Sequence, residues 1–273
     1  MMYQLRYAVG LLKKRFIEFL RKKRLSIIYP AMPNGSLNRL KALRGSRSGE
    51  RCFIVGNGPS LKNMDLTLLK DECGIVFNGA FELRDLFKDE NLYHAVEDRL
   101  VLEDHQAAIN NLTGDVFLPS DLSHLVSGIN PIVAEFHRGY PESRDTWPPF
   151  VDSNSELPIF YWGGTVAYFG LQLAVWLGFK EIYFIGMDLT YSIPDSVIQK
   201  GMVLESTEDD PNHYKSDYFG AGLRWHVPMP ERMLVAFQRV AARDIPVKIF
   251  NAGVGGNLDC FARVKFDSLF ETN

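Results

Sequence analysis

Short apolar runs alternate with amphipathic stretches from Arg51 to the end of this chain. Runs at 52–55, 74–78, 92–96, 115–119, 182–185 and 247–250 are nearly continuous in hydrophobic residues and predict buried strands. The stretches 165–177 and 231–242 repeat apolar residues at three- and four-residue steps and predict helices. In the first of these, Val166, Phe169, Leu173, Ala174 and Leu177 fall on one face and read as core. Alternation of this kind predicts an α/β fold: a Rossmann-like, mostly parallel sheet with helices on both faces. Ligands in such sheets bind beyond the carboxyl ends of the strands, where the strand order reverses. The residues that follow each apolar run therefore carry the functional expectation. Two stretches break the pattern. Residues 136–158 read as irregular, and 189–228 form a long polar connection expected to act as a lid.

The first fifty residues differ from the rest. Leu5, Val9, Leu12, Phe16, Phe19 and Leu20 mark one face of a helix, surrounded by Lys13, Lys14, Arg15, Arg21, Lys22, Lys23 and Arg24. Large aromatics opposite cations suit a helix lying in an anionic membrane surface, and residues 1–25 are assigned to that partner. A helix packed on the main domain and a nucleic-acid contact are the alternatives, the latter resting on basic charge alone. Residues 30–50, with Pro30, Pro33, Gly35, Gly45 and Gly49, read as a linker or an irregular ascent to the core. The expected division is thus 1–50, a basic amphipathic helix and linker, and 51–273, a catalytic domain carrying the lid 189–228.

Charge sharpens this division. The net charge of −3 is the sum of +10 over residues 1–50 and −13 over the remainder. Otherwise composition is that of an ordinary globular protein, with 46% hydrophobic and 23% charged residues, which excludes a disordered or fibrous chain. Cys52, Cys73 and Cys260 have no paired spacing, so reduced thiols in a cytoplasmic protein are expected, not disulfides or a zinc site. No apolar run reaches the roughly 18–20 residues of a membrane span, and the N-terminus lacks the uninterrupted apolar core of a signal peptide. A peripheral membrane location on the cytoplasmic side follows as the expectation.

Candidate chemistry begins at RCFIVGNGPSLKNMD, where a strand runs into Gly56, Asn57, Gly58, Pro59 and Ser60. Two glycines permit close backbone approach. Pro59 suits the first turn of a following helix and Ser60 can bond its unpaired N–H groups. A phosphate at that helix start would be favoured. The dinucleotide fingerprint is incomplete, since Leu61 stands at the third glycine position and Asn78, not an acid, ends the second strand. No Gly-Lys-Ser/Thr follows, which excludes a P-loop. A tight turn without ligand is the plain alternative.

FIVGNGPSL, VFNGAF, GGTVAYFGLQLAVWLGFKEIYFIGMDLTY and DPNHYKSDYFG occur in that order. Together they resemble the superfamily of bacterial family 42 sialyltransferases, motility accessory factors that glycosylate flagellin, and archaeal 6-hydroxymethylpterin diphosphokinases. The resemblance covers roughly residues 51–270 and is nearest to the sialyltransferase branch, through the His-Tyr of the long connection. It implies a Rossmann-like glycosyltransferase with a mobile lid and a CMP-activated nonulosonic acid as donor substrate, with no further cofactor. It implies that Asn57 and Gly58 touch the donor's phosphate and sugar and that Asn78 helps to hold CMP. It implies Tyr191 as a donor to the leaving phosphate, Tyr214 or Tyr218 as a second, and His213 as general base. The sialyltransferases carry Thr-Ser-Gly before the central helix; this chain carries Gly163-Gly164-Thr165.

The residues themselves permit this chemistry. Glycosyl transfer needs a base for the acceptor hydroxyl, and histidine serves near neutral pH. Hydroxyls, amides and helix N-termini can stabilise departing CMP oxygens. No Asp-x-Asp and no histidine–carboxylate cluster stands at metal-ligand spacing, so no metal is expected. His226 rivals His213 as base, and Arg224 pairs with an anionic ligand or a surface acid. Gly164 and Thr165 either present N–H groups to a phosphate or carboxylate or cap the helix. Gly186 and Asp188 end a buried strand, and Asp188 either bonds ligand or lid or caps the next turn. The leading expectation is inverting, metal-independent transfer to a glycan or lipid-linked acceptor, with a homo-oligomer left open. The rivals are a Mg-dependent diphosphokinase, which would draw on Glu97 and Asp98, and a non-catalytic nucleotide-binding scaffold.

Overall fold

The computed structural model describes residues 35–139 and 147–271; the basic segment 1–25 lies outside them. The described chain opens with helix α1 (Ser36–Leu43). It continues through strands β1 (Arg51–Val55), β2 (Cys73–Phe77) and β3 (Leu92–Ala95), short helices α2 (Arg99–Asp104) and α3 (Gln106–Ile109), and strands β4 (Asp115–Pro119), β5 (Ile132–His137) and β6 (Ile159–Tyr161). Helix α4 (Val166–Leu177) then leads into β7 (Glu181–Ile185). A small antiparallel sheet, β8 (Ile198–Lys200), β9 (Val203–Glu205) and β10 (Arg224–His226), precedes helix α5 (Pro230–Ala241), β11 (Lys248–Asn251) and β12 (Ala262–Arg263).

Nine strands form one parallel sheet in the order β12-β11-β7-β1-β2-β3-β4-β5-β6. The chain winds outward from β1 to β6, returns to β7 beside β1, and winds the other way. The order therefore reverses between β1 and β7, which is where a Rossmann-like sheet opens a crevice. Alternate residues of β1 enter opposite cores: Cys52 and Ile54 join one, Phe53 and Val55 the other. Burial on both faces explains why the strands read as continuous apolar runs.

Helix α4 is buried from Ala167 through Leu177, as its all-round hydrophobicity demands. It lies close against β2, because a side chain on Gly170 would stand 2.4 Å from the Phe77 ring. Helix α5 buries Met233, Ala236, Phe237 and Val240 at three- and four-residue steps and begins with Pro230 at its first turn. The cysteines are free, with Cys52 and Cys73 buried as register partners on β1 and β2.

Three expectations need correction. No α-helix follows the Gly56–Ser60 turn: Gly58 stays extended (φ −67°, ψ 149°) and only a 3-10 turn, Pro59–Asn63, is made. The connection 189–228 is not structureless, since β8, β9 and β10 lie within it and Leu204, Phe219 and Trp225 are buried. The stretch 136–158 begins inside β5 and ends at the start of β6. Among the described residues, no helix is long and apolar enough to cross a membrane.

Candidate active site

The β1 and β7 ends meet through glycines. Gly56 N–H donates to Ile185 O (2.8 Å) and Gly58 N–H to Gly186 O (2.9 Å). A side chain on Gly56 would stand 2.3 Å from Gly186 O, and one on Gly186, at φ +63°, 2.7 Å from Gly56 O. These two glycines are thus required for the approach of two backbones, and they leave a cavity of about 880 Å³ above the carboxyl ends of the strands. That size lies in the range of small-molecule sites.

Asp188 closes the loop from below. Its Oδ2 accepts Ser60 N–H at 3.0 Å and its Oδ1 accepts the Ser60 hydroxyl. A side chain on Gly58 would stand 2.6 Å from the Asp188 carboxylate. The carboxylate therefore takes the N–H that a phosphate at this turn would have used. Asp188 still lines the cavity, as do Gly56, Asn57 and Gly58; Pro59 and Ser60 do not.

Asn78 lines the cavity from the end of β2 in a left-handed conformation, φ +47°. Its side-chain oxygen accepts Glu97 N–H (3.0 Å) and Asp98 N–H (3.4 Å), fixing the exit of β3. Its carbonyl accepts from His94 Nε2 at 2.8 Å, while Arg84 Nη1 stands 3.1 Å from His94 Nδ1. An arginine only donates and a carbonyl only accepts, so the His94 proton sits on Nε2. Burial holds the His94 pKa down to about 3 and the ring is neutral.

The lid brings three further residues to this point. Tyr218 is buried, and its hydroxyl accepts from Asn57 Nδ2 (2.9 Å) and Gly79 N–H (3.3 Å). Accepting twice leaves its own proton to donate. Burial raises its pKa far above the ordinary phenol value, which keeps that proton in place. The His213 ring stacks on Tyr218, centroids 4.3 Å apart. Its Nδ1 lies 2.6 Å from Asp210 Oδ2, and the same carboxylate accepts Asn212 N–H (2.8 Å) and Phe219 N–H (3.1 Å). A carboxylate so placed assigns the ring proton to Nδ1 and leaves Nε2 as an acceptor. Both His213 and Tyr218 line the cavity. Tyr214 does not: its N–H bonds Asn57 O at 2.6 Å, and its ring packs on the core beneath the lid.

Tyr191 also lines the cavity, its hydroxyl 3.8 Å from Met233 Sδ. The residue as a whole is 36% exposed. Burial first, then the charges of Asp188 and Asp210, push its pKa up to about 12. Gly164 (φ +87°) and Thr165 line the same cavity, and Thr165 Oγ1 caps α4 by accepting Ala167 N–H at 3.3 Å.

Five side chains, Glu97, Asp98, Asp121, Arg138 and His226, form a charged wall. Arg138 bonds the Glu97 carboxylate and, at 2.7 Å, Asp121. Burial pushes Glu97 up to about 7 against the pull of Arg138. His226 bonds Asp98 at 3.2 Å through Nδ1, a contact that raises its pKa. His226 therefore also lines the cavity, more exposed than His213. Arg224 is spent on Asp104 and Glu103 of α2 and fastens the lid there. Trp225 is buried behind it, donating to Ser206 Oγ at 3.0 Å. Among the described residues, no group of three or more His, Cys, Asp or Glu side chains is arranged to hold a metal ion.

Asp210, Arg138 and Arg232 are cavity or near-cavity residues that the sequence reading did not single out. Asp210 had a signal, a carboxylate three residues before His213. Arg138 and Arg232 reach the cavity only through tertiary folding and had none.

No protein-family model and no curated protein matches the sequence. Among solved structures the chain is similar to the MAf glycosyltransferase from Magnetospirillum magneticum AMB-1, at 16% identity and a TM-score of 0.49. That overlap covers 85% of this chain but only 38% of the other. It is also similar to the sialyltransferase CstII from Campylobacter jejuni in complex with the substrate analogue CMP-3FNeuAc, at 15% identity and a TM-score of 0.41 over 79% of this chain and 86% of that one. The sialyltransferase CST-II in complex with trisaccharide acceptor and CMP overlaps with a TM-score of 0.38 at 16% identity, over 77% and 88% of the two chains.

Proposed function

We propose that this protein is a glycosyltransferase moving a nonulosonic or related acidic sugar from a CMP-activated donor to a glycan or glycolipid acceptor. The observation that carries the reading is the Asp210–His213–Tyr218 group at the cavity. One ring nitrogen is held by a carboxylate, the other is an available acceptor, and a phenol with a proton to donate is stacked beside it. His213 Nε2 takes the proton of the acceptor hydroxyl as it attacks the sugar. Tyr218, together with Tyr191, donates to the phosphate oxygen of departing CMP. Direct displacement inverts the anomeric centre. The leaving group's charge is met by these donors, so the reaction runs without a metal. Asn57 Oδ1 is buried at the cavity with no hydrogen-bond partner among the described residues, and a hydroxyl or amino group of the donor would satisfy it. The resemblance of the motif order to the sialyltransferases supports CMP as the nucleotide. Residues 1–25 hold the protein at an anionic membrane surface.

Calorimetric titration with CMP in EDTA, set against ATP with Mg²⁺, tests the donor. Metal-free CMP binding is expected; binding of ATP alone, with Mg²⁺, would replace the reading by a diphosphokinase. His213→Ala is expected to abolish transfer and leave CMP affinity nearly unchanged. Equal loss of both would remove His213 from the role of base.

A further inference from the structure

Three neighbouring strand ends meet on the charged wall. Glu97 follows β3, Asp121 follows β4 and Arg138 follows β5, and these strands lie side by side in the sheet. Arg138 ties the two acids together: Nη1 bonds Glu97 Oε1, and Nε bonds Asp121 Oδ2 at 2.7 Å. Its Nη2 also holds Glu97 O at 3.1 Å, and its guanidinium carbon lies 4.9 Å from the centre of the Phe136 ring. Each carboxylate therefore keeps one oxygen for something else. The Glu97 side chain is only 7% exposed, yet its Oε2 has no partner among the described residues and is not sealed from solvent. In a side chain buried this deeply and lining the cavity, that opening is the cavity itself. Asp121 lines the cavity too and leaves Oδ1 over.

A carboxylate oxygen accepts O–H or N–H groups, and a buried one left without a donor is costly. At Glu97 the cost shows in the pKa, which burial pushes up to about 7. Three acids, Glu97, Asp98 and Asp121, set against Arg138 and His226, disfavour a phosphate or a sugar carboxylate at this wall. The guanidinium already supplies the positive charge that a bound cation would bring. What fits is uncharged and rich in hydroxyls. The wall also lies on the side of the proposed base. The Tyr218 pKa, raised first by burial, is raised further by the charge of Asp98, and Tyr218 is stacked on His213. The acceptor has to approach that base. The geometry points to Glu97 and Asp121, yoked by Arg138, as the subsite that takes two hydroxyls of an uncharged acceptor sugar. The inference rests on the glycosyltransferase reading and narrows it: an acceptor whose terminal sugar carries a carboxylate is refused.

Ligand-observed NMR titration of the full chain tests it, with CMP present. The probes are methyl hexosides and their matching methyl hexuronides, in the galacto, gluco and manno series. CMP binding is measured first by calorimetry; its absence refutes the donor reading, while the hexoside comparison decides the wall separately. The uncharged member of at least one pair is expected to bind at least about tenfold more tightly than its uronide. Glu97→Gln and Asp121→Asn should each weaken that hexoside roughly 5- to 10-fold, narrow the gap to the uronide and leave CMP affinity unchanged. Equal or tighter binding of the uronides overturns the inference, as does a failure of every hexoside to bind. A Glu97→Gln variant that loses CMP overturns it too and gives the wall to the nucleotide. Should that variant not fold, the hexoside–uronide comparison in the unmodified protein and the Asp121→Asn variant still decide.

Discussion

Asp188 can be asked directly whether it serves the loop or the ligand. Its two oxygens accept the N–H and the hydroxyl of Ser60. An asparagine can keep both contacts, its oxygen taking the N–H and its amide donating to a rotated hydroxyl. What is lost is charge assistance. Hydrogen bonds to charged groups contribute about 1.5–3 kcal/mol and neutral ones about 0.5–1.5, so Asp188→Asn should cost about 1–3 kcal/mol over the pair. Asp188→Ala removes both acceptors, leaves Ser60 N–H unsatisfied and should cost about 3–5 kcal/mol. Urea unfolding measures the two costs, and CMP calorimetry on the same proteins measures binding. If the carboxylate serves the loop, CMP affinity follows loop integrity: nearly intact in the asparagine variant, lost in the alanine one. An asparagine variant of unchanged stability that no longer binds CMP would refute this reasoning and give the charge of Asp188 to the ligand.

The remaining expectations concern other parts of the fold. His94 is held neutral, its pKa depressed to about 3 against an ordinary value of 6.5; the unfolded chain then binds the extra proton, and stability present above pH 6.5 is lost as pH falls toward 3, by up to about 1.4 kcal/mol per pH unit. His94→Gln, which can still donate to Asn78 O, should flatten that slope in denaturant titrations between pH 7 and 4; an unchanged slope contradicts the assignment. Gly58→Ala should cost about 1–3 kcal/mol through overpacking against Asp188, whereas Gly139→Ala, with nothing within 4 Å among the described residues, should stay within about 0.5 kcal/mol; equal effects in chemical denaturation would contradict the close approach at Gly58. Arg224→Ala should change global stability by no more than about 1 kcal/mol, since the guanidinium is open to solvent and its ion pairs are screened, yet speed hydrogen exchange across β9 and β10; unchanged exchange would mean that the lid is fastened elsewhere.

The sheet was legible because its central strands are buried on both faces. RCFIV, CGIVF and EIYFI need no alternation to be read, and their boundaries fall within a residue of the apolar runs. β5 was not legible as a strand because Glu135 interrupts its run; that carboxylate is buried and bonds Ser120 Oγ at 3.1 Å, a partner fifteen residues away. β6, β8, β9 and β10 are three residues each, too short to carry a period. The same limit applies to the site. Glycines at the strand ends and the His213 loop stand out locally. The Ser60–Asp188 bond joins residues 128 apart, and only the folded backbone brings them together. After Gly58 the chain makes only a 3-10 turn, whose Ser60 N–H is taken by that distant carboxylate.

Helix α1 fixes where the basic N-terminal segment joins the body. Arg39 bonds Asp115, the first residue of β4, and Asn130 O just before β5, while Trp176 at the far end of α4 donates to Leu40 O. Each of these partners lies at the amino ends of the strands, and the cavity opens at the carboxyl ends. Helix α1 and the cavity thus lie at opposite ends of the strands. A substitution that loosens α1, such as one at the fully buried Leu40, therefore strikes the sheet at its amino ends, the far end from the Gly56–Gly186 approach.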